Sequence, residues 1–343
     1  MVCCATCFGD RGLRRSIIPL LSTETGDCSY CGSRNVAVLA PTLLFEYFDL
    51  LVSAYRPDTE GKLLVEWLRK DWGLFEHERM DDPRAKDLLA EIFDDGEIVR
   101  HNFSPSQDFE GNPLGDWEKL REELMYHNRF FPKADLNRER LVSLLFSLTL
   151  DEDEIPRLWH RGRIQAGDTP LQLADMGAPP SRIASHGRAN PAGIPYLYLG
   201  SSPITAISEL RPHAGETAYI AEFDTDAGLK LVDLRRPRKM VSPFLLEESA
   251  DICRMRIDLP LLERLGNELT RPVLPQAAAI DYTPSQYLCE FVKNCGYDGV
   301  IYRSSVVPSG TNLALFNPEK AHSTSLSRHR VTRVLIEAEL RED

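Results

Sequence analysis

Two hydrophobic rhythms divide this chain. Between about residues 41 and 148 apolar side chains recur every three or four positions, and from residue 158 onward the rhythm changes to short β-rich runs with a few helices. Pro41 suits a first helical turn, and Leu44, Phe48, Leu51 and Tyr55 follow at intervals of three and four, which predicts a helix. A second amphipathic helix is predicted from Gly61, carrying Leu64, Trp67, Leu68, Trp72 and Phe75. Residues 84–95 and 117–127 read as helices separated by a Pro/Gly/Ser-bearing loop at 101–116, and a last one is expected at 137–148. Aromatic stripes at helical spacing are packing faces rather than ligand boxes.

The acidic run at 151–154 and Pro156 then break the pattern, marking a domain boundary. Strands are predicted at 158–164, 195–199, 218–223, 230–233, 299–303, 312–316 and 331–338. Helices are expected at 203–210, 243–255, 261–268 and 284–294. Runs of strands without strict βαβ alternation make this an α+β chain.

Length supports more than one core, since 343 residues exceed what one hydrophobic centre usually organises. The formal charge of −12 argues against binding nucleic acid through its phosphates, which needs clustered Lys and Arg. The N-terminus lacks the basic, apolar and small-residue order of a signal peptide, and no uncharged apolar run is long enough to span a bilayer. A cytoplasmic protein without membrane contact is expected.

Five of the eight cysteines fall in the first 31 residues. Cys4 and Cys7 form one Cys-x-x-Cys turn and Cys28 and Cys31 another, a doubled spacing suited to four thiolates around one structural Zn2+. Cys3 competes with Cys4 for the first ligand position.

Several catalytic signatures are missing. There is no dinucleotide-binding glycine fingerprint, phosphate-binding P-loop, His-Glu-x-x-His or Gly-x-Ser-x-Gly elbow. Arg121 and His127 match the Arg-x4-6-His spacing of helical RNases, but two residues at that spacing read better as a solvated charged helix face. Residues 185–211 are more informative: a polar Gly/Pro loop, a short strand and a helix can bring Arg188, Asn190, Tyr198 and Glu209 to one cleft. Alternation puts Tyr196 and Tyr198 on one strand face. In the next helix Ile204, Ile207 and Leu210 form an apolar stripe that leaves Glu209 on another face.

The run Gly-Arg-Ala-Asn-Pro-Ala-Gly-Ile-Pro-Tyr-Leu-Tyr-Leu at 187–199, followed by Thr-Ala-Ile-Ser-Glu at 205–209, resembles the RES domain, named for its Arg, Glu and Ser. Leu-Trp-His-Arg-Gly-Arg at 158–163 is similar to that family's opening arginine strand. Gly-Tyr-Asp-Gly-Val-Ile-Tyr-Arg-Ser at 296–304, with Asn-Leu-Ala-Leu-Phe at 312–316, is similar to its closing segment. The cysteine knuckle followed by Trp-Leu-Arg-Lys-Asp-Trp at 67–72 resembles the HEPN/RES N-terminal region of longer members. The resemblance implies a zinc knuckle at 1–35, a helical region at 36–150 and a RES domain at 151–343 with an ADP-ribosyltransferase-like fold, a small central sheet flanked by helices.

It further implies an enzyme that consumes NAD+ by hydrolysis or phosphorolysis of the nicotinamide-ribose bond, as a bacterial toxin or defence effector held by an antitoxin or other regulatory protein. By position Arg161, Tyr198, Glu209 and Ser304 would be catalytic, with Arg163, Arg188, Asn190 and Tyr196 binding NAD+. Arg161 and Arg163 share a strand face, so either can be the opening arginine, and Ser304 and Ser305 compete likewise. ADP-ribosylation of a macromolecule is a second reading. A zinc-knuckle protein that binds a nucleotide without turnover is a third.

Overall fold

The computed structural model of the protein describes residues 1–106, 111–134 and 136–335. It divides into two units, residues 1–117 with 236–263 and residues 118–235 with 264 onward.

In the first unit, β1 (Glu24–Gly26) and β2 (Val36–Val38) pair antiparallel and carry Cys28 and Cys31 in their connecting loop. The helices α1 (Phe45–Val52), α2 (Leu64–Trp72) and α3 (Asp82–Phe93) follow the helical spacing. Their ends are chemically marked: Gly73 stops α2 at φ +64°, and the Asp81 side chain caps α3 by accepting from the Arg84 N–H. The apolar stripes face a core in which the Phe8 ring lies 5.5 Å from Phe48 and 5.8 Å from Phe75. Leu44, Leu51, Leu64 and Leu68 are fully buried beside them, each adding roughly 1.5–3 kcal/mol.

Tyr55 and Gly61, expected in helices, lie instead in β3 (Tyr55–Leu63), which pairs with β4 (Asn102–Pro105) inside the expected 101–116 loop. Tertiary contacts override the spacing here. The Tyr55 hydroxyl donates to Asp71 at 2.9 Å and accepts from the Trp72 indole at 2.9 Å, and a Cβ on Gly61 would sit 2.1 Å from the Phe103 carbonyl oxygen.

The second unit includes most of α4 (Pro113–Tyr126), then α5 (Arg138–Ser147), whose Asn137 cap accepts from the Arg140 N–H at 2.8 Å. Its centre is a seven-stranded sheet of β5 (Leu158–Ile164), β6 (Leu197–Gly200), β7 (Thr217–Thr225), β8 (Leu231–Asp233), β9 (Gly299–Arg303), β10 (Thr311–Leu315) and β11 (Ala321–Arg330). The order is β11-β7-β5-β6-β10-β9-β8, antiparallel except for the parallel pair β8 and β9. Helices α6 (Pro203–Glu209) and α8 (Thr283–Asn294) join this mixed α+β architecture.

Two expectations change. The segments 243–255 and 261–268 are one helix for most of their length, α7 (Ser249–Thr270), with Pro260 inside it and only a short turn at Pro243–Leu245. Burial of Leu259, Leu261, Leu262, Leu265 and Leu269 holds the helix together across the missing N–H. The final strand is Ala321–Arg330 rather than 331–338. It is a polar edge strand held by its ladder to β7, so apolar alternation does not reveal it, whereas 331–335 is irregular and 336–338 lies outside the described residues.

Candidate functional site

The site forms where the central sheet parts. β5 and β6 share one registered pair, His160 opposite Gly200, and past it no ladder joins them. Arg161 occupies this break, donating from Nη1 to the Tyr198 carbonyl at 2.9 Å. Burial, with Arg163 beside it, brings the Arg161 guanidinium down to about 10, which leaves it charged at neutral pH. A cleft of about 320 Å³ opens at this point.

Helix α6 forms one wall because two glycines let it approach the sheet. A Cβ on Gly162 would lie 2.9 Å from the Ala206 carbonyl oxygen, and one on Gly200 would lie 2.9 Å from the Ala206 nitrogen. Ser202 caps the helix by accepting from the Thr205 N–H at 3.1 Å. Glu209 ends it, and Arg211 then turns the chain with φ +50°, a left-handed conformation that costs a non-glycine residue.

The Glu209 carboxylate faces the cleft and is anchored through one oxygen. Oε1 accepts from Ser304 Oγ at 2.7 Å and from Asn312 Nδ2 at 2.6 Å. Among the described residues Glu209 is the sole carboxylate lining the cleft, against Arg161, Arg188 and Arg211 and the rings of Tyr198, Tyr282 and Tyr302. Burial pushes the Tyr302 phenol up, and Tyr198 and Glu209 add to this, so it stays protonated.

The 185–196 loop is tied down by Tyr198. Its hydroxyl donates to Asn190 Oδ1 at 2.7 Å and accepts from the Ala189 N–H at 2.9 Å, while Asn190 Nδ2 donates to the carbonyls of Ser185 and Pro191. Arg188 donates to the Arg271 carbonyl at 2.7 Å, with its guanidinium carbon 5.2 Å from the Tyr282 ring centre.

Of the residues singled out in the sequence, Arg161, Arg188, Tyr198, Glu209 and the alternative serine Ser305 meet in this cleft. The others stand apart. Arg163 points to the Gly177 carbonyl at 2.8 Å, so the two candidate arginines separate. Tyr196 lies just before β6 and packs on Phe316 at 4.9 Å under Lys293 of α8, outside the residues that line the cleft. Asn190 is a buried pin for the loop. Ser304 is occupied by Glu209, and Ser305 lines the wall in its place.

Asn312, Tyr302, Tyr282, Arg211 and His160 also line the cleft without having been singled out. Asn312 and Tyr302 are opposite each other in the β9–β10 ladder, a pairing that no local pattern reveals. Arg121 is no solvated helix residue: its Nε lies 3.1 Å from the buried carboxylate of Glu268, which also pairs with Arg264 at 2.9 Å and Arg271 at 3.4 Å. His127 is exposed beyond the end of α4.

In the first unit, Cys4, Cys7, Cys28 and Cys31 are buried with their sulfurs within 4.8 Å of one another. Cys4 and Cys31 are 3.5 Å apart and Cys7 and Cys28 3.3 Å. Four thiolates at zinc–sulfur bond lengths are about 3.8 Å apart along each tetrahedral edge, so the donor set fits a zinc-binding module. Cys3 stands outside this group, bridged through its backbone to Leu39.

The RES domain matches residues 157–333, just over half of the chain, and the protein belongs to the RES-domain family. No curated protein matches it. Among solved structures it is similar to the M. tuberculosis MbcT-MbcA toxin-antitoxin complex, at 14% identity and TM-score 0.33 over 56% of this chain and 93% of that one. Among the described residues no helix is long and apolar enough to cross a membrane.

Proposed function

We propose that the protein cleaves the nicotinamide-ribose bond of NAD+, by hydrolysis or phosphorolysis. The observation that carries this reading is one carboxylate, Glu209, set in a cleft with three arginines and three tyrosines. Cleavage of a neutral glycoside by paired carboxylates needs a second acid to protonate the leaving group. NAD+ needs none, because its nicotinamide is already cationic and leaves neutral. What it does need is a negative charge beside the ribose, where oxocarbenium character develops, and Glu209 supplies that. Arg161 and Arg188 suit the pyrophosphate, as fixed forks of N–H donors, and the Tyr198 ring suits the flat nicotinamide.

The chain's overall charge of −12 makes this local concentration of arginines more telling, since it favours an anionic small molecule over a polyanion. Family membership supports a toxin or defence effector that a partner protein restrains. The cysteine module would hold a structural Zn2+, having four thiolates and no open coordination position.

The test is to incubate purified protein with NAD+ and follow nicotinamide and ADP-ribose. Wild type releases both, or ADP-ribose-1″-phosphate when phosphate attacks, and Glu209→Ala lowers the rate on the order of 10³-fold, the scale for losing a preorganised charge at the reacting centre. Unchanged turnover in Glu209→Ala refutes the mechanism. Nicotinamide without free ADP-ribose, with label on a macromolecule, shows transfer instead, and NAD+ binding without release of nicotinamide shows a binding module.

A further inference from the structure

The hydrogen bonds around Glu209 divide its two oxygens. Oε1 takes both the Ser304 hydroxyl and the Asn312 amide, whereas Oε2 has no hydrogen-bond partner among the described residues. Ser304 has no freedom to do otherwise. A serine hydroxyl has one hydrogen and two lone pairs, and Ser304 Oγ accepts from the Val306 and Val307 N–H groups at 3.1 Å each. Its remaining capacity is the one donation that Glu209 receives. Ser304 is fixed in turn by its N–H to the Gly310 carbonyl, and a Cβ on Gly310 would lie 3.0 Å from the Ser304 Cβ. Asn312 is equally constrained, as a buried residue paired with both Gly200 and Tyr302 across its neighbouring strands.

We propose that Asn312 is a positioning residue which, together with Ser304, clamps Oε1 of Glu209 so that Oε2 is the oxygen presented to the ribose. The inference rests on reading the cleft as an NAD+-cleaving site. Two donors from different elements, the Ser304–Gly310 turn and strand β10, fix the plane of a carboxylate that ends a seven-residue helix and is otherwise exposed. A single donor would leave the group free to rotate about that bond. Ser304 thereby serves Glu209 and not the substrate, and Asn312 completes the function that the serine alone cannot.

The experiment measures nicotinamide release for Asn312→Leu, Asn312→Asp and Ser304→Ala, each in the wild-type and the Glu209→Gln background, with NAD+ affinity measured separately by calorimetry. Asn312→Leu and Ser304→Ala should lower kcat on the order of 10- to 100-fold, the scale for misplacing a reacting group by a fraction of an ångström, while KM and NAD+ affinity stay within about twofold. In the Glu209→Gln background neither change should add a further loss, because each acts through that carboxylate. Asn312→Asp, which keeps the side-chain size if the leucine variant does not fold, should lose turnover at neutral pH by turning a carboxylate toward a carboxylate. A folded Asn312→Leu with wild-type kcat overturns the proposal. So does a loss confined to KM, or one that adds fully to Glu209→Gln. Wild-type turnover in Glu209→Gln itself is a different result, since it removes the cleft's assignment and not just the clamp.

Discussion

Gly162→Ala puts a single methyl where the site depends on close approach. The new Cβ would lie 2.9 Å from the Ala206 carbonyl oxygen and 2.9 Å from Leu210 Cδ1. The leucine tip can rotate away, but the carbonyl belongs to the backbone of α6 and cannot. Ordinary contact begins near 3.4 Å, so the helix must retreat by about 0.5 Å, and Glu209 at its last residue retreats with it. Overpacking of this kind costs roughly 1–3 kcal/mol of stability. A shift of half an ångström in the charge that faces the ribose should lower kcat about tenfold, given that a full ångström costs on the order of 10²-fold. Nicotinamide release reports the first quantity and urea unfolding the second. Wild-type kcat and an unchanged unfolding midpoint together would refute the argument that α6 is seated by glycine. The same change at Gly96, where a Cβ meets nothing within 4 Å, is the control and should move neither.

Gly187→Ala should also cost activity, because its Cβ would lie 2.4 Å from Asn190 Oδ1 and 2.6 Å from the Tyr198 hydroxyl. Breaking that buried pair loses roughly 1–3 kcal/mol, read as a lower thermal midpoint. Purified protein should carry one zinc per chain by elemental analysis, and Cys4→Ser with Cys28→Ser should abolish it; metal retained in that double variant would reject these ligands. Burial raises the Asp71 carboxyl above its ordinary value, against a smaller opposing effect of the Tyr55 hydrogen bond. The folded state therefore holds this proton more tightly than the unfolded state, and the contribution of Asp71 to stability falls as pH rises from about 4 through the raised value. Asp71→Asn, which can still accept from Tyr55, should gain stability relative to wild type across that window in denaturant titrations, and a flat difference would reject the assignment.

Much of the second unit was legible because its strands are short apolar, β-branched and aromatic runs. β5 and β9 lie at their predicted bounds, and β6, β7, β8 and β10 within two residues of theirs; β7 to β10 are buried for most of their length, and such strands show as short continuous apolar runs between turn residues. The thiol cluster was legible for a different reason, as four ligands that must surround one ion leave a spacing. β3, β4 and β11 left no such trace. The Tyr55–Asp71–Trp72 contacts and the β7 ladder hold them, and both depend on residues distant in sequence.

The candidate site divides along the same line. By itself the chain determined that Tyr198 and Glu209 could face one cleft, because strand and helix periodicities orient neighbouring side chains. Alternation equally put Tyr196 on the Tyr198 face, yet Tyr196 lies just before β6 under Lys293 of α8, outside the residues that line the cleft. Only the tertiary structure separated Arg161 from Arg163 and Ser304 from Ser305, as each choice depends on which partner lies across a gap. Only the tertiary structure, too, brought Asn312 to Glu209 from 103 residues away. Local pattern orients a side chain, whereas strand order and register decide what it meets.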